Sequence, residues 1–188
     1  MKKRLLPLVA LVLLPTLFYG QSNNAQLFNE SNYLPIGQGL DPESSNQLYA
    51  VKYRSTQDSL YTLKKVYADS LFTQLLSKAF YKGNLLDGPF YAYALDSSKT
   101  QPLARFPNML VEDALRLYPV DTITVTAYYK NGKLVGERMT YRGNKMAQQG
   151  SFTSGVKVGE WKDYNMQGQL RRKTTYNNKG RKIAEETN

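Results

Sequence analysis

The chain has 188 residues and a formal net charge of +10, with 15 tyrosines, one tryptophan, and neither cysteine nor histidine. That length suits one domain or one repeat array. Without cysteine or histidine the usual zinc, copper and haem ligands are missing, as is the commonest general base, so metal, cofactor and triad chemistry are not expected.

Lys2, Lys3 and Arg4 precede an apolar run from Leu5 to Phe18, and small or polar residues follow at Gly20, Gln21 and Ser22. This is the pattern of a cleavable secretory signal peptide over residues 1–22, with a mature chain beginning near Gln21 or Asn23. No cysteine follows it to accept a lipid, so the expected product is exported, periplasmic or extracellular, and not a lipoprotein. Residues 23–47 are rich in Asn, Ser, Gln, Gly and Pro and read as a flexible leader without a site. The folded domain is then expected over 48–188.

Tyr49, Val51 and Tyr53 alternate with polar or small residues, and Leu60 to Tyr67 is β-rich, which predicts two strands around a polar turn at Thr56 to Ser59. Val66 to Phe80 fits two periods. Tyr67, Leu71, Leu75 and Ala79 recur at helical spacing, yet Phe72, Leu76 and Phe80 suit strands, and strand is preferred. Residues 96–121 carry Pro102, Pro107 and Pro119 and interrupt the pattern. Asn108 can cap a short helix there, with Leu110, Ala114 and Leu117 on one face and Tyr118 before Pro119 at its end. Asp121 to Tyr129 is an alternating, β-branched strand.

The last third is periodic. Tyr129, Tyr141, Phe152, Tyr164 and Tyr176 are each followed within four positions by Gly132, Gly143, Gly155, Gly168 or Gly180. Asn131-Gly132 is the strongest hairpin signal, because both central residues of a type I′ turn need positive φ; Gly143-Asn144 and Ser154-Gly155 are weaker versions. Turns every dozen residues predict a mainly β chain, an antiparallel meander in a mostly single-layer, twisted sheet. Successive turns fall on opposite sides, so Tyr129, Phe152 and Tyr176 should line one margin and Tyr141 and Tyr164 the other. Gly136 reads as an ordinary strand glycine. Lys157, Lys173 and Lys182 read as charges that blunt sheet edges.

Phe80-Tyr-Lys-Gly83 followed by Gly88-Pro-Phe90-Tyr-Ala-Tyr93 has the same frame as Phe152-Thr-Ser-Gly155 followed by Gly159-Glu-Trp161-Lys-Asp-Tyr164. This frame resembles MORN repeats, in the bacterial variant labelled YwqK family antitoxins. The resemblance covers Tyr128 to Glu186 closely and Ala79 to Leu95 more loosely; it departs at Ser70, where a turn glycine would stand, and across Asp96 to Asp121. It implies hairpin repeats, a packing role for Trp161, and an antitoxin or immunity-like role. The founding repeat name suggests lipid surfaces.

Charge is unevenly spread. From Asn23 to Tyr128 there are 9 Lys and Arg against 10 Asp and Glu; from Tyr129 to Asn188 there are 13 against 5. Arg171, Lys173, Lys179, Arg181 and Lys182 are read as bracketing one turn and, with Tyr129, Trp161 and Tyr164, form the candidate binding set; no catalytic set is proposed. Such a surface attracts anionic partners. The expected function is a non-enzymatic, exported interaction or envelope scaffold whose partner is an acidic protein or envelope component. An anionic lipid or glycan is the alternative. Nucleic acid is disfavoured by export, although basic residues interleaved with tyrosine suit single strands. A hydrolase built on Asp87, Asp163 and Glu160 is the rival from another class.

Overall fold

The computed structural model describes residues 26–44, 47–94, 123–142 and 145–188. A 3-10 turn at Glu30–Asn32 precedes the strands β1 (Tyr33–Leu40), β2 (Tyr49–Ser55), β3 (Tyr61–Tyr67), β4 (Leu75–Lys82) and β5 (Leu85–Tyr93). They are followed by β6 (Ile123–Lys130), β7 (Lys133–Leu134), β8 (Gly136–Arg142), β9 (Lys145–Thr153), β10 (Val156–Tyr164), β11 (Leu170–Tyr176) and β12 (Lys182–Thr187). All pair antiparallel in one open sheet in sequence order, with the short β7 pairing β6 just before β8 takes over. The mainly β meander anticipated from the turn spacing is therefore the fold. The signal peptide and the short helix expected in 96–121 lie outside the described residues, as does the Gly143-Asn144 turn.

One expectation about the N-terminal region is corrected, and the strand preference for Val66 to Phe80 is refined. The segment read as a flexible leader supplies the first strand of the sheet, and Tyr33 within it is 6% exposed. Its polar composition hid a few anchoring residues: Phe28 sits edge-on to Tyr61, Phe80 and Tyr128, and Tyr33 to Phe80. Phe28 also occupies the space above Gly88, where a Cβ would come within 2.5 Å of its ring. The domain thus begins before residue 48. Val66 to Phe80 is strand, loop and strand rather than one element. The loop closes without glycine because Asp69 accepts hydrogen bonds from the backbone N–H groups of Leu71, Thr73 and Gln74, and Phe72 takes φ 57°.

The turns follow their chemistry. Asn131 and Gly132 have φ 49° and 77°, and Ser154 and Gly155 have 50° and 85°, the signs a type I′ hairpin requires. Gly136 is not an ordinary strand glycine: its φ is 69°, and Gly159 has 66° where the β9–β10 register shifts. Both stand where their strand takes two residues more than its partner, which the even hydrophobic pattern conceals.

Residues paired across neighbouring strands share a face. On the face beneath Phe28 lie Tyr61, Leu63 and Phe80, the main apolar cluster, with Leu27 and Tyr53 against it. At roughly 1.5–3 kcal/mol per fully buried side chain, Leu63 and Phe80 are its largest contributors. The opposite face packs by alternating small and large residues: Ala79, Phe90 and Ala127 in one part, then Gly150, Trp161 and Thr174. Trp161 lies over Gly150, where an added Cβ would fall 2.2 Å from the indole, and is flanked edge-on by Phe152 and Tyr176. The packing role expected for Trp161 is what its 2% exposure gives.

Candidate anion-binding margin

The meander gives the sheet two margins of different construction. On one, here the turn margin, lie the turns at 55–61, 83–84, 131–132, 154–155 and 177–181; on the other, the loop margin, lie 41–48, 68–74 and 165–169. Tyr129, Phe152 and Tyr176 lead into the turn margin, and Tyr141 and Tyr164 into the loop margin. Successive turns on one margin are two strands apart, so the five span about 40 Å at about 4.8 Å per strand.

Each turn on the turn margin is tied to the one before it. Gly83 N–H donates to the Leu60 carbonyl (2.9 Å), Gly132 N–H to Leu86 (2.7 Å) and Gly155 N–H to Leu134 (2.7 Å), and Gly180 packs against Val156. Buried Asp87 adds a further staple. Its Oδ1 accepts from the Tyr61 hydroxyl (3.1 Å) and Lys130 Nζ (3.0 Å), and its Oδ2 from the Asn131 N–H (3.1 Å). Burial pushes this carboxyl up, but the Asn131, Lys130 and Tyr61 donors outweigh it and hold Asp87 below the usual carboxylate range. Burial and the Asp87 charge in turn push the Tyr61 phenol up to about 12.

On this fixed backbone the side chains are mostly cationic. Lys82, Lys130, Lys133, Lys157, Lys179, Arg181 and Lys182 flank the turns, whereas the acids are Asp58, engaged by the Leu60 N–H, and buried Asp87. Lys130 is paired with Asp87 and Lys182 with Glu185 at 2.8 Å. Lys82, Lys133, Lys157, Lys179 and Arg181 have no carboxylate partner among the described residues. Lys157 Nζ instead lies 4.1 Å from the Trp161 ring centroid and Lys82 Nζ 5.6 Å from that of Tyr61, which orients both stems. Leu60, Leu85 and Val156 are exposed between these cations.

The residues anticipated from sequence are distributed differently from the expected single cluster. Lys179, Arg181 and Lys182 do sit on the turn margin. Arg171 lies at the far end of β11, where its carbonyl accepts the N–H of Asn188, so one strand length separates it from that turn. Lys173 is mid-sheet and neutralised by Glu186 (3.0 Å) and Glu160 (3.6 Å). Trp161 is buried and has no face left for a ligand, Tyr129 is half-buried beside Phe90, and Tyr164 is at the loop margin. Lys157 and Lys173 are interior to the sheet, so of the three supposed edge charges only Lys182 stands on an edge strand.

Sequence reading missed Lys82, Lys133 and Lys157 because it looked for runs of charge. Their signal is periodic: Lys82-Gly83, Gly132-Lys133, Gly155-Val-Lys157 and Lys179-Gly180-Arg181 place a cation within two positions of each turn glycine.

The carboxylates proposed for hydrolysis have other engagements. Asp163 accepts from Gln148 (2.7 Å) and Arg172 (2.8 Å); burial raises its pKa, and those donors bring it below the ordinary value. Glu160 is exposed beside Lys173. Neither Asp87 nor Asp163 therefore retains a proton to donate near neutral pH. Among the described residues no group of three or more Asp and Glu could hold a metal ion, and no helix is long and apolar enough to cross a membrane. No protein family, curated protein or solved structure matches the chain, so the likeness to MORN repeats rests on the residues quoted above.

Proposed function

We propose that this protein is an exported, non-catalytic binding scaffold that engages an acidic macromolecule along its turn margin. The observation that carries this reading is the row of five cations, Lys82, Lys133, Lys157, Lys179 and Arg181, that have no carboxylate partner among the described residues and stand on turns that are hydrogen-bonded or packed one to the next. Adjacent turns are about 10 Å apart, close to the Debye length at physiological salt, so their fields reinforce one another at low salt and separate as salt rises. A flexible acidic segment or a repeating polyanion matches a row of this length better than a compact anion does. The immunity-like role implied by the repeat resemblance is one form of such a scaffold.

The exposed Leu60, Leu85 and Val156 between the cations favour a second reading, docking on an anionic lipid surface. Polyglutamate and phosphatidylglycerol vesicles, titrated separately against the mature chain, distinguish the two. The first reading predicts salt-sensitive binding of polyglutamate that Leu85→Ser leaves unchanged. Binding to vesicles alone, lost in Leu85→Ser, would replace it with the second.

A further inference from the structure

The two ends of the sheet are built differently. β12 is exposed along its length and carries Lys182, Glu185 and Glu186, the mixed charge that discourages another strand from adding. β1 reads Tyr-Leu-Pro-Ile-Gly-Gln-Gly-Leu and has no charge, with Leu34 61%, Ile36 49% and Leu40 63% exposed. Among the described residues nothing pairs with its outer side.

The phase of its backbone follows from the flanking bonds. Thr56 N–H donates to the Asn32 carbonyl and Asp41 N–H to the Leu48 carbonyl, so residues 32 and 41 face β2. Alternation from both ends, with the register shift between Pro35 and Gly37 absorbing Ile36, leaves Tyr33, Pro35, Gln38 and Leu40 facing outward. Pro35 has no N–H to offer, which blunts the first half of the strand. The second half keeps the N–H and carbonyl groups of both Gln38 and Leu40.

We propose that this half-strand pairs antiparallel with the same half-strand of a second copy. A two-fold axis at Gly39 sets Gln38 of one copy opposite Leu40 of the other, twice, and both residues of each pair exchange N–H and carbonyl. Gly39 meets its own counterpart on the axis with no side chain on either. A second copy is the occupant that fits, because an antiparallel edge with two equivalent outward residues is complementary to itself. It is also uncharged, so two strongly basic chains can meet there without opposing like charges. Leu40 of each copy then covers the stem of the other's Gln38. The axis is normal to the sheet, so the dimer carries one turn margin on each side of a doubled sheet and can bridge two anionic partners.

The test is mass measurement by light scattering over a range of concentrations, joined to residue-resolved amide exchange on the unmodified chain. A monomer–dimer equilibrium is expected, with the Gln38 and Leu40 amides exchanging at least tenfold more slowly in the dimer. Gln38→Pro should abolish the dimer yet melt at the parent's temperature at concentrations where the parent is monomeric, and Ile183→Lys on β12 should leave the dimer in place. A monomeric mass at every concentration overturns the proposal, as does a dimer in which the Gln38 and Leu40 amides exchange as in the monomer. A dimer retained by Gln38→Pro but lost in Ile183→Lys would move the interface to the other edge.

Discussion

The turn margin and the loop margin are made by the same strands, yet they solve opposite problems. On the loop margin, charged groups stabilise the connections themselves. Lys64, buried, is matched by Asp41 at 2.9 Å and Glu43 at 2.6 Å, and Asp69 caps its own loop through three backbone N–H groups. On the turn margin the 131–132 and 154–155 connections close through Asn-Gly and Ser-Gly backbone geometry and the Asp87 staple, and the 55–61 and 177–181 connections through the acceptor side chains of Ser55, Asp58 and Asn177. Among the described residues, five cations are left with no carboxylate partner. The contrast teaches that connections closed by backbone geometry, one buried staple and short polar side chains leave their flanking cations available for recognition.

The difference is broken most severely at Asp87. Asp87→Ala leaves the Tyr61 hydroxyl and the Asn131 N–H without their acceptor, at a cost of about 3 kcal/mol in chemical denaturation, with the 131–132 turn losing amide protection first. The same group sets an acid limit. Its folded pKa lies below the unfolded value of about 3.9, so its contribution is complete above that value and is lost as pH falls through the folded pKa. Asp87→Asn should accordingly flatten the dependence of melting temperature on pH below about pH 4.

Backbone strain comes next. Gly132→Val forces a β-branched residue to positive φ and should cost about 2 kcal/mol. Gly136→Ala, read from sequence as mild, should cost about 1 kcal/mol because Gly136 also has φ 69°, although nothing stands near its added Cβ. Equal melting temperatures for Gly136→Ala and the parent would contradict the bulge. On the loop margin Asp69→Ala removes three acceptor contacts from a half-buried loop, for about 1 kcal/mol in the same measurement.

The hairpin spacing made the meander legible, since Asn-Gly and aromatic-to-glycine intervals constrain turn positions before any packing is known. What the sequence concealed are features set by registers rather than runs. Phe28 and Tyr33 are isolated aromatics in a polar stretch, and only the approach of Gly88 and Phe80 shows that they anchor. Gly136 and Gly159 look identical to strand glycines until the pairing is known. The basic tail looked like one patch because Arg171, Lys173 and Arg181 are near in sequence, but a strand length separates Arg171 from Arg181, and Glu160 and Glu186 neutralise Lys173 from neighbouring strands.

The smallest effect on stability carries the largest consequence for function. Lys133→Gln, Lys179→Gln and Arg181→Gln together should shift unfolding by no more than about 0.5 kcal/mol, because these charges are exposed and have no carboxylate partner among the described residues. The direct measurement is the association rate of this triple variant with polyglutamate, from low to physiological salt, beside Arg142→Gln, Lys145→Gln and Arg171→Gln on the loop margin. The turn-margin variant should associate about tenfold more slowly than the parent at low salt and lose most of the salt dependence, with the loop-margin variant close to the parent. Equal slowing in both variants, or a salt-independent rate in the parent chain, would contradict a binding site on the turn margin.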